Sequence, residues 1–150
     1  MMQDWYFDDL LPGQRFSTPG MTVSEAMILD FARVYDPQPF HIDTEAARGT
    51  EFGGLIASGF HTLSLSFSLF FRLGVLGRAN LGSPGMEELR WLLPLRPGDT
   101  IRVEAEVVAA KASQSRPDRG VVTMRHDTFN QHGELILTVN CLHRLKRRPA

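Results

Sequence analysis

The 150-residue sequence has little net charge, little cysteine and no apolar run near its start. Its formal net charge of −1 gives no basic surface for nucleic acid. Cys141 is the only cysteine, which excludes an intramolecular disulfide and a multi-cysteine metal site and suits a reducing compartment. The first residues form no apolar segment, so no signal peptide is predicted. These absences predict a cytoplasmic protein that binds neither nucleic acid nor membranes.

The composition is that of an ordinary globular domain, with 43% hydrophobic and 22% charged residues. One domain over residues 1–150 is therefore expected. The segment from Phe52 to Phe71 carries no Asp, Glu, Lys or Arg for 20 residues, the length of a membrane span. It also contains three glycines, His61 and five hydroxyl side chains. We interpret it as a buried central segment rather than a transmembrane helix.

A first helix is predicted before a proline-rich stretch. Thr22-Val23-Ser24-Glu25 has the form of a capping box, in which Thr22 and Glu25 each satisfy a backbone donor of the other. Pro37 ends the helix, so Asp36 is expected where the chain leaves it. Pro37-Gln38-Pro39-Phe40 is expected to be a stiff loop. An apolar stripe at helical spacing supports the helix: Ile28, Phe31, Ala32 and Tyr35.

The apolar segment from Leu55 to Val75 gives two conflicting signals. Leucine and phenylalanine alternate with serine between Leu63 and Leu69, which is typical of a strand. The apolar run continues to Val75, however, which is too long for an ordinary strand. The pattern alone favours a helix only narrowly.

The C-terminal half predicts an antiparallel sheet. Residues 101–107 alternate between apolar and charged side chains, after the turn signal Arg96-Pro97-Gly98-Asp99. Val121–Phe129 and Leu135–Leu145 are two further strands, joined by the hairpin sequence Asn130-Gln131-His132-Gly133. Helices followed by a run of strands indicate the α+β class.

Polar residues that can move protons cluster after the first helix. They are Asp36, Gln38, His41 and Asp43. A carboxylate and an imidazole can transfer protons near neutral pH, and a rigid turn could hold both against one substrate. Asp-Pro is also an ordinary helix terminator, so the pair alone leaves catalysis and a simple turn both open.

A second cluster, Ala57-Ser58-Gly59-Phe60-His61-Thr62, begins the apolar segment. If that segment is a helix, its first N–H groups are unpaired and can hold a developing oxyanion, which Gly59 lets approach closely. Alternatively, Gly59 permits tight packing, and Ser58 and His61 are satisfied polar residues. The serines lack the frame of a nucleophile elbow, and no paired histidines predict a catalytic metal.

Four stretches, in order, resemble the MaoC-like hydratase family. Asp36-Pro37-Gln38-Pro39-Phe40-His41 is similar to that family's Asp-x-Asn-Pro-x-His signature. The other three stretches resemble the approach to its central helix, the strand and turn that follow, and its last hairpin: Phe52–Gly59, Trp91–Thr100 and Asn130–Glu134. The similarity runs from about Phe16 to Arg147. It implies a single hot-dog domain, with a bent antiparallel sheet around a helix that starts near Gly59.

The resemblance also implies a chemistry and its residues. In this family the signature aspartate and histidine activate water for addition to a trans-2-enoyl thioester, and dehydration is the reverse reaction. Asp36 is then the general base, His41 orients the water and shares the proton transfer, and the Gly59 N–H holds the thioester oxygen. Gln38, Ser58, Phe60 and His61 are predicted to bind substrate. No cofactor is expected beyond the coenzyme A or acyl carrier protein of the substrate.

Three departures from the family pattern leave substrate preference open. Gln38 stands where Asn is usual, Ser58 where many relatives have histidine, and Phe67 where the best-known members have serine. The rival functions are an acyl-CoA thioesterase and a non-catalytic acyl-CoA-binding module, since one fold hosts many functions. Exposed sheet edges predict at least a homodimer. Much of the contact between this helix and the protein core is expected to come from Phe60, Leu63, Phe67, Phe70 and Phe71.

Overall fold

The computed structural model describes residues 3–150 and has the predicted α+β architecture. Met1 and Met2 lie outside the described residues. They belong to the N-terminal segment for which no signal peptide was predicted. The helices are α1 (Glu25–Tyr35), α2 (Pro39–Ile42), α3 (Thr44–Arg48) and α4 (Gly59–Phe71), with a 3₁₀ turn at Phe7–Asp9. The strands are β1 (Arg15–Ser17), β2 (Met21–Thr22), β3 (Gly85–Trp91), β4 (Thr100–Ala112), β5 (Arg119–Phe129) and β6 (Leu135–Lys146).

The strands form one antiparallel sheet in the order β1-β4-β5-β6-β3, and β2 also pairs with β4. The predicted strands in the second half are confirmed, because β5 alternates between buried and half-buried residues along its whole length. The predicted hairpin is also confirmed, with Gly133 at a φ of +74° that suits glycine. Helix α4 covers the inner face of the sheet. Leu69 packs with Val103 and Ile136, while Phe70 packs with Met124.

The helical interpretation of the ambiguous segment is confirmed, but the predicted core contacts are only partly right. Phe70 is fully buried, and Leu63 and Phe67 pack against the core while partly exposed. Phe60 and Phe71 are 58% and 48% exposed, so their prediction as core residues is wrong. Their separation of eleven residues is about three helical turns, so both lie on the same, partly exposed side of α4. Among the described residues, no helix is long and apolar enough to span a membrane.

The first helix starts later than its capping box suggests. Ser24 is the N-cap, and its side chain accepts a hydrogen bond from the Met27 N–H. Thr22 lies in β2 instead, where its hydroxyl bonds that of Thr100. The predicted stiff loop is shorter than expected, because α2 begins at Pro39. Proline suits the first turn of a helix, since its missing N–H has no partner there in any case.

Candidate active site

The ends of three helices meet beside the sheet and bring together the predicted catalytic residues. Asp36 caps the C-terminus of α1, where its backbone N–H donates to the Ala32 carbonyl. His41 lies on α2, and Gly59 is the first residue of α4. The two prolines thus turn the chain back after α1 and place the imidazole beside the carboxylate.

Asp36 and His41 form a close and nearly buried pair. The distance from Asp36 Oδ2 to His41 Nε2 is 3.4 Å, and the side chains are 11% and 5% exposed. His41 Nδ1 lies 2.7 Å from the Ile56 carbonyl oxygen. A carbonyl can only accept, so Nδ1 carries the proton and Nε2 is free to exchange protons on the side of Asp36.

Two neighbouring side chains donate hydrogen bonds to the Asp36 carboxylate. Gln38 Nε2 donates to Oδ1 at 2.8 Å, and Ser58 Oγ donates to Oδ2 at 2.6 Å. Burial raises the pKa of Asp36, but the hydrogen bonds from Ser58 and Gln38, together with the electrostatic attraction of the nearby His41 ring, outweigh it, so the net pKa is lowered. We call Asp36, Gln38, His41 and Ser58 the acid–base cluster. Its geometry keeps Asp36 ionised and ready to accept a proton.

Gly59 presents a free amide at the start of α4. The Ser58 side chain caps the helix by accepting from the Phe60 N–H, and the Ser58 carbonyl accepts from the next two amides. Within residues 3–150 the Gly59 N–H has no hydrogen-bond partner. Such a donor at a helix N-terminus can stabilise a developing negative charge.

Trp91 lies directly over Gly59 and was not singled out from the sequence as a site residue. Its indole N–H donates to the Gly59 carbonyl at 2.9 Å. A Cβ added at Gly59 would come within 2.5 Å of the indole ring, so this position requires glycine. The stretch Trp91–Thr100 resembled the family, but nothing in its pattern places the indole on a helix 32 residues away.

A largely apolar cavity of about 440 Å³ opens between these elements. Asp36 and His41 are the only ionisable side chains among the described residues that line it. The remaining lining residues are Gln38, Phe52, Ile56, Ala57, Gly59, Phe60, Thr62, Trp91, Leu92, Leu93, Pro94 and Leu95. Its size and its few polar groups are those of a small-molecule site.

The predicted substrate-binding residues divide into two groups. Gln38 and Phe60 line the cavity, whereas Ser58 is fully buried and bonded to Asp36. His61 does not line the cavity: its ring stacks on Phe31 with centroids 4.4 Å apart, and burial lowers its pKa. Ser58 therefore positions the carboxylate, and His61 packs α4 against α1.

Comparison with known proteins gives consistent matches over most of the chain. The family model described as "MaoC like domain" matches residues 9–130. The uncharacterized protein YdeM of Bacillus subtilis is 34% identical over 124 residues, which is 83% of this chain and 86% of YdeM.

Two solved structures extend the match to the fold. The MaoC-like dehydratase from Rhodospirillum rubrum is 42% identical, with a TM-score of 0.85 over 97% of this chain and 99% of that one. The (R)-hydratase from A. caviae, involved in PHA biosynthesis, is 29% identical, with a TM-score of 0.72 over 91% of this chain and 97% of that one.

Proposed function

We propose, from the premise that the chain belongs to the MaoC-like domain family, that it adds water reversibly across the double bond of a trans-2-enoyl thioester. One observation carries the proposal. Asp36 and His41, with 3.4 Å between Oδ2 and Nε2, line an apolar cavity beside the Gly59 amide, which has no partner within residues 3–150. The similarity to an (R)-hydratase supports the same reaction class.

The acid–base cluster supplies a path for the proton that leaves the water and returns to the α-carbon. A water molecule in the cavity that contacts both Asp36 Oδ2 and His41 Nε2 donates one hydrogen bond to the carboxylate. As its oxygen bonds the β-carbon, the O–H bond breaks and Asp36 takes the proton. The electron pair of the double bond moves toward the thioester oxygen and returns to the α-carbon, which receives the same proton, passed from Asp36 Oδ2 through the free Nε2 of His41. Dehydration follows the same steps in reverse.

The charge that develops on the thioester oxygen needs a donor away from the attacking water. The Gly59 N–H is suited to this role because the start of α4 supplies a partial positive charge. No Lys or Arg lies between Glu51 and Arg72, so the segment offers no charged side chain for the task. The Trp91 hydrogen bond to the Gly59 carbonyl holds the next peptide unit, and with it the first residue of α4, in place.

The lining of the cavity favours an uncharged acyl group. The described residues around it include no Lys or Arg, and Asp36 is already ionised. A second carboxylate on the acyl chain would lose its hydration without gaining a partner and would meet a like charge. We therefore propose acyl thioesters without a second carboxylate as substrates.

A homodimer is part of the proposal. Large apolar side chains are exposed around the cavity and on the edge strand β3: Phe60, Met86, Trp91, Leu92 and Leu93. An apolar patch beside an unpaired strand edge is typical of a subunit interface. Light scattering at micromolar concentration is expected to give the mass of at least two chains. A fully active monomer would contradict this part of the proposal.

A substrate panel tests the proposed reaction directly. Mixed with crotonyl-CoA, the protein is expected to remove the absorbance of the conjugated thioester without releasing free thiol. Mesaconyl-CoA, whose acyl group carries a carboxylate, is the matched comparison and should react at least tenfold more slowly in kcat/KM. Release of free thiol would instead identify a thioesterase. Binding of crotonyl-CoA without any turnover would indicate a non-catalytic module.

A further inference from the structure

A second polar cluster lies on the inner face of the sheet, apart from the cavity. His126 belongs to β5, and Cys141 and His143 belong to β6, the neighbouring strand. One potential ligand atom from each residue lies within 4.8 Å of the other two. We call these three residues the sheet triad. None of them lines the acyl cavity.

The sheet triad is deeply buried and its hydrogen bonding is incomplete. His126, Cys141 and His143 are 1%, 2% and 3% exposed. Nε2 of each histidine has no hydrogen-bond partner among the described residues. Buried polar groups are rarely left unpaired, because they lose their hydration without gaining a partner. Two such atoms beside a thiol are therefore available as ligands for one ion.

The chemical state of the triad suits a metal ion. Nε2 of both His126 and His143 has no other partner among the described residues, and a neutral imidazole binds a metal through such a free ring nitrogen. A thiol gives up its proton when it binds a metal, so Cys141 would contribute a thiolate. Two neutral imidazoles and one thiolate are ligands of soft and borderline transition metals.

The charge balance distinguishes the possible ions. A divalent ion with one thiolate would leave a net charge of +1 in an apolar core, which is costly without a counterion. A monovalent ion with the same thiolate is neutral. Met124 faces Cys141 directly in the strand register and is also fully buried. A thioether beside a thiolate is a ligand environment that favours Cu(I).

We propose that His126, Cys141 and His143 bind one Cu(I) ion in the core of this protein. With bonds of about 2.0–2.3 Å, as zinc sites show for the same ligand types, a trigonal arrangement separates the ligand atoms by about 3.5–4.0 Å. The triad needs only a small contraction from its present spacing of up to 4.8 Å. Because the residues are buried, we expect the ion to enter during folding or through local opening.

The test uses the full chain without a histidine tag. Protein refolded under anaerobic conditions with Cu(I), held by a chromophoric chelator, is expected to take up one ion per chain. X-ray absorption should then show thiolate sulfur and two imidazole nitrogens at about 2.0–2.3 Å. A wild-type protein that takes up no Cu(I), or one whose ion has only oxygen and nitrogen neighbours, overturns the proposal.

Matched variants locate the ion. Cys141→Ser, which is close to isosteric, should lose the stoichiometric copper, and His143→Phe should weaken binding at least tenfold. His132→Ala removes an exposed histidine of the hairpin and should retain one ion. His41→Ala should also retain it, and a loss there would place the ion in the acyl cavity and overturn the proposal. Preferential retention of zinc over Cu(I) would overturn it as well, since the charge argument would then be wrong.

Discussion

The acid–base cluster and the sheet triad are both buried, but their polar groups are satisfied very differently. Both carboxylate oxygens of Asp36 have side-chain donors, and His41 Nδ1 has a carbonyl acceptor. The histidines of the triad have no partner for Nε2 among the described residues. The first cluster lies at helix ends, where loops supply spare backbone and side-chain groups. The second lies inside a sheet, whose backbone groups already pair with each other.

The pKa values of the two clusters show the effect of this difference in hydrogen bonding. Burial raises the pKa of both Asp36 and Cys141. Ser58, Gln38 and His41 outweigh that effect at Asp36, whose net pKa is lowered. Nothing compensates for burial at Cys141, whose pKa rises to about 12. Burial alone thus keeps a titratable group uncharged, whereas burial with positioned donors keeps the group ionised and able to accept a proton.

Removing the base is expected to have the largest effect on turnover. Asp36→Asn keeps the shape of the side chain but cannot accept a proton, so kcat for hydration should fall by about 10²–10⁴. His41→Ala should behave similarly. Asp43→Asn is the matched control, because Asp43 only caps α3 through the Glu45 and Ala46 amides and Asn is an equally good cap. Near-normal hydration by the Asp36→Asn protein would refute the mechanism.

Displacing the Gly59 amide is expected to have the second largest effect on turnover. The new Cβ of Gly59→Ala would meet the Trp91 ring at 2.5 Å, so the start of α4 must shift. Loss of one preorganised oxyanion donor lowers kcat by about 10²–10³ in comparable enzymes. Adding Trp91→Ala in the same chain removes the clash but also the indole hydrogen bond to the Gly59 carbonyl, so the double variant should recover to the rate of Trp91→Ala alone. If Trp91→Ala alone costs as much as Gly59→Ala, the effect belongs to the indole and not to the amide.

Ser58→Ala should have a smaller effect on kcat, and the size of this effect should depend on pH. The serine helps to hold the Asp36 pKa below its usual value, so its removal should raise that pKa. Asp36 accepts protons only when ionised, and the acidic limb of the kcat–pH profile should therefore move to higher pH, with less change near neutrality. Ser58→Thr retains the hydroxyl and is the control. An unchanged acidic limb would mean that Asp36 is not the base that titrates.

The smallest effect on turnover is expected from a polar pair that is fully satisfied. Ser66 on α4 and Thr128 on β5 share a buried hydrogen bond of 2.6 Å. Ser66→Ala should lower the free energy of unfolding by about 1–3 kcal/mol, because the Thr128 hydroxyl loses a partner. Thr128→Val in the same chain should recover part of that loss. Denaturant titration measures both variants, and kcat should change little in either.

The lowered pKa of Asp36 also affects the stability of the protein at low pH. The Asp36 pKa is lower in the folded chain than its ordinary value, so its contribution to stability is present above the unfolded pKa and is lost as the pH falls through the folded pKa. Asp36→Asn should remove this dependence and flatten the acid side of the stability curve. Urea titrations of both proteins at several pH values below neutrality provide the measurement.

The local sequence pattern was sufficient to predict a secondary-structure element wherever apolar residues repeat regularly along that element. The alternation of residues 101–107 predicted β4, because each residue on a strand faces either the core or the solvent. The position of Asp36 followed from Pro37, which acts on its immediate neighbour. Phe60 and Phe71 were misassigned because an apolar helix does not show from its sequence alone which side faces the sheet.

By itself, the sequence determined the α+β class, the strands of the C-terminal half and the turn that holds Asp36 near His41, all of which depend on residues close in the chain. Only the tertiary structure decided which distant residues meet. Ser58 reaches Asp36 across 22 positions, Trp91 covers Gly59 across 32, and the register of β5 and β6 brings His126 to Cys141. Such contacts depend on how whole elements pack, and no local spacing specifies them.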